Sequence, residues 1–153
     1  RVITRDVSEY KVSLREENIR RHQVLNMTAE QWDARVSDKG SIGKADVVIA
    51  DLPCSGLGVL RKKPDIKYRM QPEDIKSLIA LQREILSTVH QYVKPGGRMI
   101  YSTCTIDAGE NEENVAWFIA NHKEFELESM EQILPDELGS DGFFIARLRK
   151  QNV

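Results

Sequence analysis

Asp46-Val47-Val48-Ile49-Ala50 is the feature that most limits how this chain can fold. A run dominated by β-branched residues with no polar alternation predicts a strand buried on both faces of a parallel sheet. Pro53, Gly56 and Gly58 break it at once, and a long polar segment follows to Met70. Pro72, Glu73 and Asp74 then start a helix, with proline in the first turn and carboxylates at the positive end of the dipole. Its apolar stripe runs through Ile75, Leu78, Ile79, Ile85, Leu86, Val89 and Val93, and Lys94-Pro95-Gly96-Gly97 is predicted to stop it. Arg98 to Ser102 is the next strand. Parallel strands need such a crossover between them.

Other segments extend the alternation. Val2-Ile3-Thr4 predicts a strand ending near Asp6, Ser8 caps a helix from Glu9 to Arg21, and Asn26 to Trp32 predicts a second strand. Ser37 to Lys44 reads as a loop. Asp107 with Glu110 fits a capping box for a helix reaching Asn121, and Glu124 to Met130 and Gly142 to Leu148 predict two closing strands. The expected fold is α/β with a mainly parallel sheet, in one domain over residues 1–153. In such sheets sites form beyond the carboxyl ends of the strands. Asp6, Asp33, Asp51 and Cys104 all fall there.

Composition narrows the function classes. Hydrophobic residues make up 41% of the 153, and the net charge of −2 means that any nucleic acid must be met by a local patch. No apolar run approaches the roughly 20 residues of a membrane span. The two cysteines form no C-x-x-C pair, and His22, His90 and His122 lie scattered, so a reducing cytoplasm and no metal are expected. The chain starts at Arg1 rather than methionine, which suggests a piece of something longer.

Two turns carry the chemistry: Asp51-Leu52-Pro53-Cys54-Ser55-Gly56 and Ser102-Thr103-Cys104-Thr105. A cysteine alone after a strand is more often a small core residue. If the two strands are neighbours, about 5 Å apart, both thiols reach one cleft. An acid and two thiols suit modification of carbon 5 of cytosine. A thiolate added to carbon 6 makes carbon 5 nucleophilic, the acid near nitrogen 3 stabilises the developing charge, and a base then removes the carbon-5 proton.

Asp51-Leu52-Pro53-Cys54-Ser55-Gly56, Tyr101-Ser102-Thr103-Cys104-Thr105 and Asp141-Gly142-Phe143-Phe144-Ile145-Ala146 resemble motifs of the RNA (cytosine-5) methyltransferases. The resemblance is strongest to the bacterial 16S ribosomal RNA enzymes of the Sun/Fmu type. Pro64 to Lys67, Leu81 to Leu86, Lys94 to Gly97 and Glu110-Asn111-Glu112 extend it over essentially the whole chain.

The resemblance implies a Rossmann-like S-adenosylmethionine-dependent methyltransferase fold with an antiparallel C-terminal strand pair. It makes Cys104 the nucleophile and Cys54 the thiol that assists product release; spacing alone leaves that choice open. Asp51 would contact cytosine and cofactor, Asp6 the ribose hydroxyls of S-adenosylmethionine, and Asp33 its adenine. Taken singly, Asp6 and Asp33 would read as cap or loop residues.

Arg61, Lys62, Lys63, Lys67 and Arg69 concentrate positive charge after the Pro-Cys turn. They are the expected contacts to RNA phosphates, small-subunit ribosomal RNA by the resemblance, against the ordinary reading of a solvated face. Tyr68 could stack on a base, while Trp32, Trp117, Phe143 and Phe144 read as core or cleft wall.

The sequence departs from the family in what should precede Arg1. No glycine-rich loop for the methionine end of the cofactor is present, and the fold would lack its first, central strand. The expectations are an incomplete domain, inactive alone, that binds S-adenosylmethionine weakly or not at all. Its exposed sheet edges should re-pair, meet another chain or self-associate. Two rivals stand beside this reading: an amino methyltransferase, which would carry an aromatic residue where Cys54 stands, and a catalytically silent RNA-binding or ribosome-assembly module.

Overall fold

The computed structural model describes residues 1–135 and 139–152. These fall into two compact units, Arg1–Asp38 and Lys39–Val153.

The first unit is β1 (Val2–Asp6), α1 (Glu9–Arg21) and β2 (Met27–Gln31), with β1 and β2 parallel. The Ser8 hydroxyl accepts from the Lys11 N–H at the start of α1, Glu9 lies in the first turn, and Arg20 and Arg21 lie in the last. Those charges match the helix dipole at both ends. The apolar face of α1 is thin, and only Val12 is fully buried.

The second unit contains β3 (Ala45–Asp51), the short α2 (Ile66–Arg69), α3 (Pro72–Val89), β4 (Val93–Thr103), α4 (Glu112–Asn121), β5 (Phe125–Ile133) and β6 (Phe143–Lys150). Its sheet runs β3-β4-β6-β5. β3 and β4 are parallel; β6 lies antiparallel to both β4 and β5. The sheet is therefore mixed rather than mainly parallel, with the expected antiparallel pair at its C-terminal side.

One face of this sheet builds the core. Met99, Tyr101 and Thr103 of β4 stand opposite Leu148, Ala146 and Phe144 of β6, and all six are buried. Ile85, Leu86 and Val89 of α3 and Val115 and Phe118 of α4 are buried with them. A large apolar side chain so buried contributes about 1.5–3 kcal/mol. The other face is open. Val47 is 52% and Ile49 72% exposed, so β3 is not the doubly buried strand that its composition predicts. It is an edge strand bonded to β4 alone.

Lys94-Pro95-Gly96-Gly97 does not stop α3. The helix ends at Val89, a single 3-10 turn covers His90–Tyr92, and the Pro-Gly segment belongs to β4. Glu112 rather than Ala108 opens α4, although the Asp107 carboxylate does accept from the Glu110 N–H, at 3.0 Å. His90 and His122 are not scattered: their ring centroids lie 4.1 Å apart, against Phe118 and beside Glu124. Burial lowers both imidazole pKa values. Lys150 stands close enough to lower that of His90 further, and one ligand atom from each of His90, His122 and Glu124 lies within 4.8 Å of the others.

Candidate active site

Parallel pairing sets Asp51 opposite Ser102, so the turns after β3 and β4 leave the sheet side by side. The Ser102 hydroxyl donates to Asp51 at 3.1 Å, and the Leu52 N–H donates to the Ser102 carbonyl. Three residues beyond Asp51 and two beyond Ser102, the thiols of Cys54 and Cys104 meet with their sulfurs 3.3 Å apart. The sequence-predicted convergence of Asp51, Cys54 and Cys104 is what the fold produces.

Close backbone packing completes the approach. The Gly58 N–H donates to the Cys104 carbonyl at 3.0 Å, and the Gly142 N–H donates to the Gly58 carbonyl at 2.8 Å. A Cβ on Gly58 would stand 2.2 Å from the Gly142 carbonyl oxygen, so only glycine permits the Pro-Cys loop, the Cys104 loop and the start of β6 to touch.

The two thiols titrate apart. The hydrogen bond from Cys54 draws the Cys104 pKa down to about 7, against burial and the repulsion of Asp51, with a smaller lowering from Lys63. Cys54 moves the other way, through the same bond and then through its own burial. Either sulfur can be the donor in this contact, and the Cys104 N–H also donates to the Cys54 sulfur, at 3.3 Å. The Cys104 thiol is thus shifted toward ionisation relative to a free thiol of pKa about 8.5.

Behind the thiols lies a buried polar network that sequence reasoning did not single out. Glu110 is wholly buried, and its carboxylate accepts from the Ser55 N–H at 2.9 Å, the Ser55 hydroxyl at 2.5 Å and the Gln82 amide at 2.9 Å. The Ser55 and Thr105 hydroxyls are 2.7 Å apart. Asn114 donates to Gln82, and Asn111 links the Thr105 carbonyl to Gln132. One signal was available: Gln82 stands on the apolar stripe of α3, where a lone amide needs buried partners.

Of the basic residues, all five are exposed. Lys62 donates to Asp141 at 2.6 Å with Arg61 3.9 Å from the same carboxylate, and Arg69 pairs with Asp65. Tyr68 is 78% exposed, open to stacking; Phe144 is core, whereas Phe143 is at the surface. Arg5 lies over Trp32 and Arg83 over Trp117.

In the first unit, Asp6 ends β1 and Asp33 follows β2, at the same end of a parallel pair. Both carboxylates are already engaged. Asp6 accepts from Arg15 and from the Ser8 N–H. Asp33 accepts from Arg35 side chain and backbone, which hold its pKa at about 2.

The family profile described as 16S rRNA methyltransferase RsmB/F matches residues 1–149. The chain belongs to the RsmB/F family. Among its relatives, the probable ribosomal RNA small subunit methyltransferase B of Bacillus subtilis is 38% identical over 98% of this chain and 38% of its own length. The ribosomal RNA small subunit methyltransferase F of Cronobacter sakazakii is 31% identical over 97% of this chain and 35% of its own. This RsmB/F chain therefore spans somewhat over a third of the length of such relatives.

Solved structures agree. NSun6 from Pyrococcus horikoshii, determined with SFG, superposes with a TM-score of 0.84 at 32% identity, covering 97% of this chain and 41% of that one. A methyltransferase homologue from the same organism gives 0.81 at 25% identity, covering 97% and 52%. The RsmB/F chain thus has part of the Rossmann-like S-adenosylmethionine-dependent methyltransferase fold. No helix of the described residues is long and apolar enough to cross a membrane.

Proposed function

We propose that this chain is the nucleophile-bearing part of a cytoplasmic, S-adenosylmethionine-dependent enzyme that methylates carbon 5 of cytosine in small-subunit ribosomal RNA. Both units would belong to its one catalytic domain. The observation that carries this reading is the 3.3 Å approach of the Cys54 and Cys104 sulfurs beside Asp51, to which Ser102 donates.

The Cys104 thiolate attacks carbon 6 of the cytosine, forming a C–S bond and moving the ring electrons toward nitrogen 3. Asp51, to which the Ser102 hydroxyl donates, would stabilise that charge. Carbon 5 becomes nucleophilic and takes the methyl group; a base removes its proton, and the returning electrons expel the thiolate. Cys54, whose pKa its bond to Cys104 and its burial raise, assists release of the methylated RNA. Lys63, Lys67 and their basic neighbours hold the phosphate backbone, positioning the strand without reading its sequence.

The cofactor supplies an electrophilic methyl group. Asp6 and Asp33, at the ends of adjacent parallel strands, fit its ribose hydroxyls and adenine in kind. Each is occupied by an arginine, however, and no glycine-rich loop is among the 153 residues. This chain alone should bind S-adenosylmethionine weakly or not at all and be inactive. Micromolar binding by titration calorimetry would overturn that.

The reaction itself is tested with RNA carrying 5-fluorocytosine, in the chain extended to the length of its curated relatives and supplied with S-adenosylmethionine. Fluorine replaces the proton that must leave, so the covalent adduct persists. Peptide mapping should find RNA on Cys104, Cys104→Ala should form none, and Cys54→Ala should still form it. Attachment at Cys54 would reverse the two roles. No adduct despite RNA binding would sink the proposal.

A further inference from the structure

We propose that Glu110 is a positioning residue, whose carboxylate clamps the Cys54 turn to the Cys104 loop and thereby sets the separation of the two thiols. Its role in turnover rests on Cys104 being the nucleophile; its effect on the thiols does not.

A carboxylate taken out of water is costly unless its oxygens are hydrogen-bonded. Glu110 has no exposure at all, and the bonds its carboxylate accepts come from Ser55 and Gln82, both tied to the Cys54 turn. Oε1 takes the Ser55 N–H and the Gln82 amide, and Oε2 takes the Ser55 hydroxyl. Gln82 gives a second bond to the Pro53 carbonyl, so Pro53 and Ser55, on either side of Cys54, are both tied to this centre.

The Cys104 side is tied in turn. Thr105, next to Cys104, meets the Ser55 hydroxyl at 2.7 Å. Glu110 is itself anchored at both ends of its backbone: Asp107 accepts its N–H, and the Tyr101 hydroxyl, from β4, donates to its carbonyl. The residues after the two thiols are thus joined hydroxyl to hydroxyl, with the Glu110 carboxylate holding the Ser55 side. No bond links Glu110 to either sulfur among the described contacts, so its influence on them is geometric.

That geometry predicts which substitutions are tolerated. In Glu110→Gln the amide oxygen takes the place of Oε1 and still receives two N–H groups. The amide NH2 faces the Ser55 hydroxyl, which can accept from it while donating to Thr105. In Glu110→Ala the Ser55 and Gln82 N–H groups lose their acceptor and the Pro-Cys turn is released. Ser55→Ala removes one strand of the clamp with little change in volume.

The test is the pH profile of Cys104 alkylation by iodoacetamide, followed by peptide mass, on the whole chain and these three variants, with circular dichroism to check folding. Glu110→Gln should keep the wild-type midpoint, whereas Glu110→Ala and Ser55→Ala should raise it by about one unit, slowing alkylation about tenfold below both midpoints. If Glu110→Ala does not fold, Ser55→Ala decides. An unmoved midpoint in Ser55→Ala and in any folded Glu110→Ala overturns the proposal, and so does a Glu110→Gln shift as large as that of Glu110→Ala. Should the thiol profile move while no 5-fluorocytosine adduct forms, the clamp stands and the reaction reading fails.

Discussion

Two sulfurs 3.3 Å apart share a proton more readily than they ionise together, because a second negative charge at that distance is strongly disfavoured. The consequence is an asymmetric pair from two chemically identical residues. Their mutual hydrogen bond and its own burial raise the Cys54 pKa, while the same bond lowers that of Cys104 to about 7. Cys54→Ala deletes that bond. The Cys104 pKa should then climb from about 7 toward the roughly 8.5 of a free thiol, and its thiolate fraction at pH 7 should drop from about half to about 3%. Alkylation of Cys104 at neutral pH should slow about fifteenfold and recover at pH 9. A pH profile equal to that of the wild type would remove Cys54 as the cause. Asp51, Cys54 and Cys104 could be read from sequence because each sits at or just past a strand end. Glu110 could not, since its burial depends on Gln82 and Ser55, 28 and 55 residues away.

At the scale of elements, local signals worked where a side chain acts on its own backbone. Ser8 caps α1, and the Gln71 N–H is held by Asp74 just before Pro72 opens α3. They failed where tertiary context competes. Val93 continues the helical stripe four residues after Val89, which makes the sequence look helical up to the Pro-Gly run. In the fold Val93 is the fully buried first residue of β4, and the 3-10 turn at His90–Tyr92 already ends the helix. The pairing of Ala45 with Val93, followed by a register shift before Val47 meets Arg98, absorbs the extra Lys94 to Gly97 residues within the strand pair. β3 shows the same limit from the other side. Its composition asks for burial on two faces, but burial is a property of what packs against a strand, and β4 alone is bonded to it.

The whole molecule carries the consequence of that uncovered strand. β3 ends the larger sheet, bonded to β4 on one side only. The two outer strands of the larger sheet are not equally protected. β5 carries Glu126, Glu128 and Glu131, and charged side chains blunt an edge against further pairing. β3 has charge only at Asp46 and Asp51, and between them Val47, Val48, Ile49 and Ala50 present an unpaired, apolar edge with Ile49 72% exposed. Such an edge is a template for another strand. We therefore expect this chain to self-associate through β3 as its concentration rises, with the mass measured by sedimentation moving above that of a monomer. Ile49→Lys places a charge where the side chain already meets solvent, so it should leave the fold intact and hold the chain monomeric. A wild-type chain that stays monomeric over the same range, or an Ile49→Lys chain that associates equally well, would mean that the β3 edge is not the contact.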